Sequence, residues 1–440
     1  MMSATPHPAS PRPPASLWQA TTCEIPDYPS LDGDIETDAL VIGAGFTGLS
    51  AALHLRQQGA TVAVIEAGQP GTGASGRNSS LVIPTLSGAD PDDIVSRYGA
   101  SGERFVVLVR DCTDDLFATA TALQLGGQAE QTGWLQPAHS PGRMRLIERR
   151  AAQWAKWGAT IEIADREQTR RMLGSDMWFG GLLSRTGGMV NPLALVHAMA
   201  VRQAGGGLYA RTPALSFAKG PDGWRVTTPF GEARAKSLII ATNAYTGAVS
   251  EKLLPDLARE IVPVTSWLAA TEPLPETMRR SVLPARVAMS DTRGDLHFAR
   301  YDAEHRLISG AALITPIDRP SRLRKLVAKR LERIWPQTRG IKIEFVWNGQ
   351  IGMTPDRFPR FHRIGPDAFA WTGCNGRAVA LSLAVGKKLA KAALGAPLDA
   401  IALPFSPLRP LPVQALIRWL SPLALLHYRR LDAREYRAPR

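Results

Sequence analysis

Apolar residues along this chain fall into short unbroken runs, separated by stretches where they recur every three or four positions. Short runs bounded by glycine read as buried strands, and the three-to-four spacing reads as helix. The first core strand is expected near Ala39, with ordered structure starting near Trp18. Ser96–Leu125, Met144–Trp157, Leu193–Gln203, Leu323–Ile334 and Val379–Leu394 carry helical spacing. Gly133–Pro137, the region around Leu215, Trp224–Thr228, Ser237–Ala241, Ile261–Ala270, Leu296–Tyr301, Leu307–Gly310 and Phe369–Thr372 read as strands. Gly220-Pro221-Asp222-Gly223 has the turn chemistry of a hairpin. Gly187–Pro192 is expected to be a turn, with Pro192 opening the helix that follows. The apolar stretch Val413–Tyr428 is expected to break at Pro422.

One segment combines these signals with chemistry. From Val41 to Ala67 the chain reads strand, glycine turn, amphipathic helix, strand and acid, with glycines at 43, 45 and 48 and Glu66 at the end. Gly43 permits a tight turn, Gly45 lets the backbone approach a diphosphate, and Gly48 lets the helix pack on the strands. The helix start offers unpaired amides and a partial positive charge, and Glu66 is placed to bind ribose hydroxyls. The prediction is a dinucleotide site.

Composition narrows the picture only slightly. The 440 residues carry a net charge of +13, which favours anionic partners, although the charge is spread along the chain. Three cysteines, Cys23, Cys112 and Cys374, form no paired motif, which argues against a disulfide framework, a zinc site or a dithiol centre. No apolar run reaches the ~18 residues of a membrane span. The proline-rich start reads as a disordered tail over residues 1–17, and the expected compartment is the cytoplasm. Residues 401–440 form a basic extension, read as a helix on the body or as a peripheral contact with an anionic membrane.

Three further segments carry a resemblance. GASGRN (Gly73–Asn78), LIIATNAYT (Leu238–Thr246, with GGMVNPLALV at Gly187–Val196 beside it) and WTGCNGRAVALSLAVGKKLA (Trp371–Ala390) are similar to those of the FAD-dependent amine and amino-acid oxidoreductases, the D-amino-acid oxidase family. The likeness is nearest the branch of gamma-glutamylputrescine oxidoreductase and runs from about Trp18 to Leu394. It implies an α/β fold, with a glutathione-reductase-type FAD-binding Rossmann lobe (18–95, 185–250, 345–400) interleaved with an antiparallel-sheet substrate lobe (96–184, 251–344).

It also implies a cofactor-binding set: Gly43, Gly45, Phe46, Thr47, Gly48, Glu66, Ala67, Gly73, Ser75, Arg77, Asn78, Ala214, Ala241, Thr242, Asn243, Gly373, Asn375 and Gly376. Ser79 and Ser80 stand where the family usually has glycines, and Met189 where it often has a polar residue. Cys374 does not match the family's flavin-attachment cysteines and reads as a packed thiol.

No second nucleotide fingerprint follows, so electrons are expected to enter the flavin directly from an organic substrate. The implied reaction is oxidation of a C–N bond in a small amine or amino acid, by hydride transfer to FAD and hydrolysis of the imine, with oxygen or a quinone as acceptor. No catalytic residue is assigned. Arg300, Tyr245 and Trp347 are the substrate-side candidates, with Arg300 and Phe298 expected on one face of a strand and His297 on the other. Two alternatives stand beside this reading: a flavoenzyme modifying a side chain on tRNA, and a flavin-binding module without turnover. The absence of a recognisable RNA-binding motif argues against nucleic acid as a partner.

Overall fold

The computed structural model describes residues 16–24, 26–295, 297–313 and 317–437. Its first sheet has a parallel centre. Strands Ala368–Thr372, Gly231–Ile240, Ile35–Ile42, Val62–Ile65 and Leu208–Tyr209 lie side by side, all in one direction. The inner strands are apolar on both faces, as the unbroken burial of Val62–Ile65 shows, because helices or loops cover both sides. A hairpin, Ser216–Gly220 and Gly223–Thr228, pairs antiparallel with the first half of Gly231–Ile240. Its turn falls at Pro221-Asp222, where the sequence places it.

Two helices share one side of this sheet: the crossover helix Phe46–Gln57 and the late helix Val379–Ala393. Small residues let them touch. A Cβ added to Gly386 would lie 2.5 Å from the Thr47 carbonyl oxygen and 2.8 Å from Ser50 Cβ. The Ser50 hydroxyl donates to the Leu383 carbonyl at 2.7 Å, tying the pair at that contact.

The second sheet has eight strands in the order Ile343–Met353, Val262–Pro273, Arg306–Ala311, Phe298–Tyr301, Ala288–Ser290, Trp134–Pro137, Gly181–Ser184, Ile161–Ala164. Its pairs are antiparallel except Ala288–Ser290 with Trp134–Pro137. Its edge strand begins at Ile343, so it crosses the lobe boundary expected at 345. The helix Arg319–Ile334 covers it, burying Leu323, Val327, Leu331 and Ile334.

Several expectations shift. Gly187–Pro192 is not simply a turn: Gly188–Val190 is the middle strand of a three-stranded sheet with Leu81–Val82 and Ala129–Glu130. Glycine is needed there because a Cβ on Gly188 would lie 2.2 Å from the Glu130 carbonyl oxygen. Residues 1–15 of the expected tail, and Leu296 at the start of an expected strand, lie outside the described residues; Ser16 caps a helix, Leu17–Thr21, and Leu17 is buried. The C-terminal helix Gln414–Arg437 runs through Pro422 without a break. Anchors at its two ends override the local helix-breaking tendency: Gln414 donates to the carbonyls of Ala258 and Ile261, and Glu435 accepts from Arg143.

The helix contact yields a stability test. Gly386→Ala forces the two helices apart and should cost about 1–3 kcal/mol in urea unfolding. Gly142→Ala, at a helical position with no heavy atom within 4 Å of the added Cβ, should be neutral or stabilising by up to ~1 kcal/mol.

Candidate functional site

The crossover places three glycines where any side chain would collide. Gly43 has φ +106°, and a Cβ there would lie 3.1 Å from the Ala241 carbonyl oxygen. At Gly48 the clash is with the Gly43 carbonyl oxygen at 1.9 Å, so the helix rests directly on the turn. At Gly45 the neighbour is the Ser75 hydroxyl, 2.8 Å away. That hydroxyl accepts from the Phe46 amide at 3.0 Å. Gly45 is the N-cap and has no side chain to cap the helix, so this first turn presents backbone donors. Phe46 and Thr47 are buried; the Thr47 hydroxyl accepts from the Trp371 indole at 2.9 Å. Glu66 sits at the end of the second strand and accepts the amides of Ala44 at 2.8 Å and Gly68 at 2.9 Å. Burial raises its carboxyl above the ordinary range, opposed by the amides of Gly68, Ala44 and Ala67. Ala67 itself is exposed.

The loop Gly73–Asn78 folds back over this turn. Ala74–Gly76 forms a single 3-10 turn, and the Asn78 amide donates to the carbonyls of Ala74 and Ser75. Arg77 is buried, with Nε donating to the Asn348 carbonyl at 2.5 Å. Tyr245 packs its ring against Gly73, and its hydroxyl accepts the Gln350 amide at 3.2 Å. Ser80 adopts φ +70°, the conformation expected to be costly for serine, and its hydroxyl bonds the Val190 carbonyl. Trp347 is fully buried, packs edge-on against Trp18 and donates to the Arg77 carbonyl at 3.0 Å. It packs in the core against the loop it bonds.

The late segment supplies a second backbone cradle. Gly373, Asn375 and Gly376 all have φ between +50° and +75°. The Asn375 side chain fixes the turn, accepting the Thr354 amide at 2.9 Å and donating to the Gly373 carbonyl at 2.7 Å. The late helix starts after Ala378 with no side-chain cap, which leaves its first amides as donors. Asn243, also left-handed, lies against Gly352 and beside Cys374. Burial raises the Cys374 thiol, so it stays protonated at neutral pH. Ala241 bonds back to Ile42 at 2.9 Å, and Thr242 meets Thr246 through their hydroxyls at 2.7 Å. Ala214 is buried in the core near Ile65 and Ile240.

On the second sheet, Arg300 is 2% exposed. Its guanidinium lies 4.9 Å over the Trp18 ring and donates to the carbonyls of Tyr301 and Ser79. Burial pushes it down to about 9, so it remains charged at neutral pH. His297 and Phe298 are buried as well, so this segment has no solvent face.

Arg377 was not singled out by the sequence, although its place between the glycine turn and the late helix was a signal. Its guanidinium lies 4.9 Å over Trp134 and 3.4 Å from the Thr85 hydroxyl. Burial pushes it down to about 9, reinforced by the charge of Arg150. The nearby acid, Asp90, is committed to Arg150 at 2.7 Å. No acid pairs with Arg377 among the described residues.

A parallel sheet with a glycine crossover and an acid after its second strand defines a dinucleotide-binding fold, here accompanied by a second, largely antiparallel sheet. The donor set fits FAD: glycine turns before two helices that lack side-chain caps, and an acid at the end of the second strand. The chain belongs to the FAD-dependent oxidoreductase family, whose model matches residues 38–392. Gamma-glutamylputrescine oxidoreductase of Escherichia coli (strain K12) is 30% identical over 380 residues, 86% of this chain and 88% of that protein. Glycine oxidase from Geobacillus kaustophilus shares the fold, with a TM-score of 0.70 at 18% identity, covering 85% of this chain and 98% of that one. L-proline dehydrogenase from P. horikoshii gives 0.68 at 19% identity, covering 82% and 93%.

Two variants check this geometry. Gly45→Val should purify without flavin absorbance while keeping its circular dichroism; full flavin content would contradict the placement. Ser80→Ala keeps the left-handed strain and loses a hydrogen bond, whereas Ser80→Gly loses the bond but relieves about 1–2 kcal/mol of strain. Ser80→Ala should therefore unfold at lower urea than Ser80→Gly.

Proposed function

We propose that this enzyme oxidises the C–N bond of a small amine or amino acid that carries a carboxylate. The observation carrying the reading is Arg377, a half-buried, desolvated cation beside the late glycine turn with no acid partner among the described residues. A buried charge left alone is costly, and a bound carboxylate would relieve that cost with a charge-assisted pair. Family membership and the named activities of the relatives support the reaction class.

In this reading the amides from Gly43 to Gly48, with Phe46 and Thr47 opening the helix, hold the FAD diphosphate, and Glu66 with Ala67 holds the ribose. Gly73, Ser75, Arg77 and Asn78 cover the cofactor, and Ala214, Ala241, Thr242 and Asn243 border its adenosine part. Gly373, Asn375, Gly376 and the start of the late helix face its ring. FAD, when bound, accepts a hydride from the carbon next to nitrogen, and the released imine hydrolyses in water. The protein's own contribution is orientation. Arg377 fixes the substrate's acid end, Tyr245 forms a wall, and the second sheet excludes water. Arg300 is the second candidate for the carboxylate: it reaches the Ser79 and Tyr301 carbonyls through Nε and Nη1, and its buried Nη2 has no partner among the described residues. The FAD lobe then comprises 18–95, 185–250 and 354–400, and the substrate lobe 96–184 and 251–353. Electrons leave to oxygen or a quinone, and the three free cysteines suit a cytoplasmic setting.

Anaerobic stopped-flow bleaching across a panel of amines with and without a carboxylate tests this. Carboxylate-bearing substrates should bleach the flavin. Arg377→Gln should raise KM for them roughly 10- to 100-fold, the loss of one charged hydrogen bond, with flavin content unchanged. Equal KM in the variant, or equal use of amines lacking a carboxylate, would overturn the assignment.

A further inference from the structure

The C-terminal helix Gln414–Arg437 has two faces of opposite character. Its inner face is spent on the body. Besides the Gln414 and Glu435 anchors, Asp432 accepts the amides of Gly294 at 3.0 Å and Asp295 at 3.1 Å, and Arg429 pairs with Asp295 at 2.8 Å. The Tyr428 ring packs on Gly294. Both acids of the helix therefore point inward.

The outer face carries a row of exposed apolar side chains: Leu416, Trp419, Leu420, Leu423 and Leu426, with Trp419 76% and Leu423 59% exposed. One to two turns further on, the same face carries Arg430 and Arg434, both exposed. Spacings of three and four place these residues along one stripe. From Leu416 to Leu426 the stripe is about 15 Å long, half of a bilayer's apolar thickness. Among the described residues no helix is long and apolar enough to cross a membrane.

We propose that this stripe is an interfacial docking surface for an anionic phospholipid bilayer. The leucines and Trp419 sink to the headgroup level, and Arg430 and Arg434 meet lipid phosphates. Charge selects this occupant over a second copy: the chain carries +13, so two copies repel, whereas an anionic surface attracts. The acids that would oppose such a surface are turned into the body. This assignment stands apart from the reaction at the flavin.

Flavin-loaded full-length enzyme is sedimented with vesicles of phosphatidylcholine alone, or of phosphatidylcholine with a third of phosphatidylglycerol, at low and high salt. The enzyme should pellet with the anionic vesicles at low salt, and far less with neutral vesicles or at high salt. Trp419→Glu with Leu423→Glu should lower binding about tenfold or more. Arg430→Gln with Arg434→Gln should lower binding to anionic vesicles roughly tenfold. Both variants should keep flavin content and turnover, because none of the four residues lies in the proposed site. Failure of the enzyme to pellet with anionic vesicles at low salt would overturn the proposal. So would unchanged binding in both variants, or a concentration-dependent dimer that Trp419→Glu dissolves without any vesicle binding.

Discussion

The site depends on one close approach, that of the crossover helix to the turn before it. With only 1.9 Å between the Gly43 carbonyl oxygen and the position of a Cβ on Gly48, the helix start lies over the end of the first strand. The same contact brings the Ser75 hydroxyl onto the first turn and sets Glu66 beside Ala44. The late helix is placed by a similar contact at Gly386, so its uncapped start is positioned from the same rigid pair. Two backbone cradles are thereby fixed relative to each other without a long polar side chain. Fixed dipoles of this kind stabilise charge without reorganising.

Around that frame the protein buries arginines and treats them differently. Arg77 donates to the Asn348 carbonyl and Arg150 has Asp90 and Gln136, while Arg300 donates through Nε and Nη1 to carbonyl oxygens and leaves Nη2 without a partner among the described residues. Arg377 has an aromatic face and a hydroxyl. Carbonyl-bound arginines brace loops, and an arginine paired with an acid is neutralised in place. Arg377, with no acid partner among the described residues, adjoins the expected flavin ring.

Much of the fold was legible because its signals are local. The glycine spacing from Gly43, the acid at Glu66 and the apolar runs of the parallel strands needed no long-range information. The hairpin turn at Pro221-Asp222 and the helix opened by Pro192 were legible for the same reason. What escaped depended on distant partners. Gly188–Val190 pairs as a strand only because Leu81 and Ala129 come alongside. The C-terminal helix crosses Pro422 because contacts at both ends hold it. Arg300 was expected on a strand face shared with Phe298, and only the fold shows that Trp18, far away in sequence, packs over its guanidinium. Arg377 is set apart by its desolvation and by the lack of an acid partner among the described residues, neither of which a linear sequence displays.

The central claim is that the crossover and the late glycine turn together hold one FAD per chain. Titration of deflavinated protein with FAD, followed by quenching of flavin fluorescence, tests it most directly. The account predicts saturation at one FAD per chain, with Gly45→Val showing no uptake while remaining folded. Folded wild-type protein that leaves flavin fluorescence unchanged would contradict it.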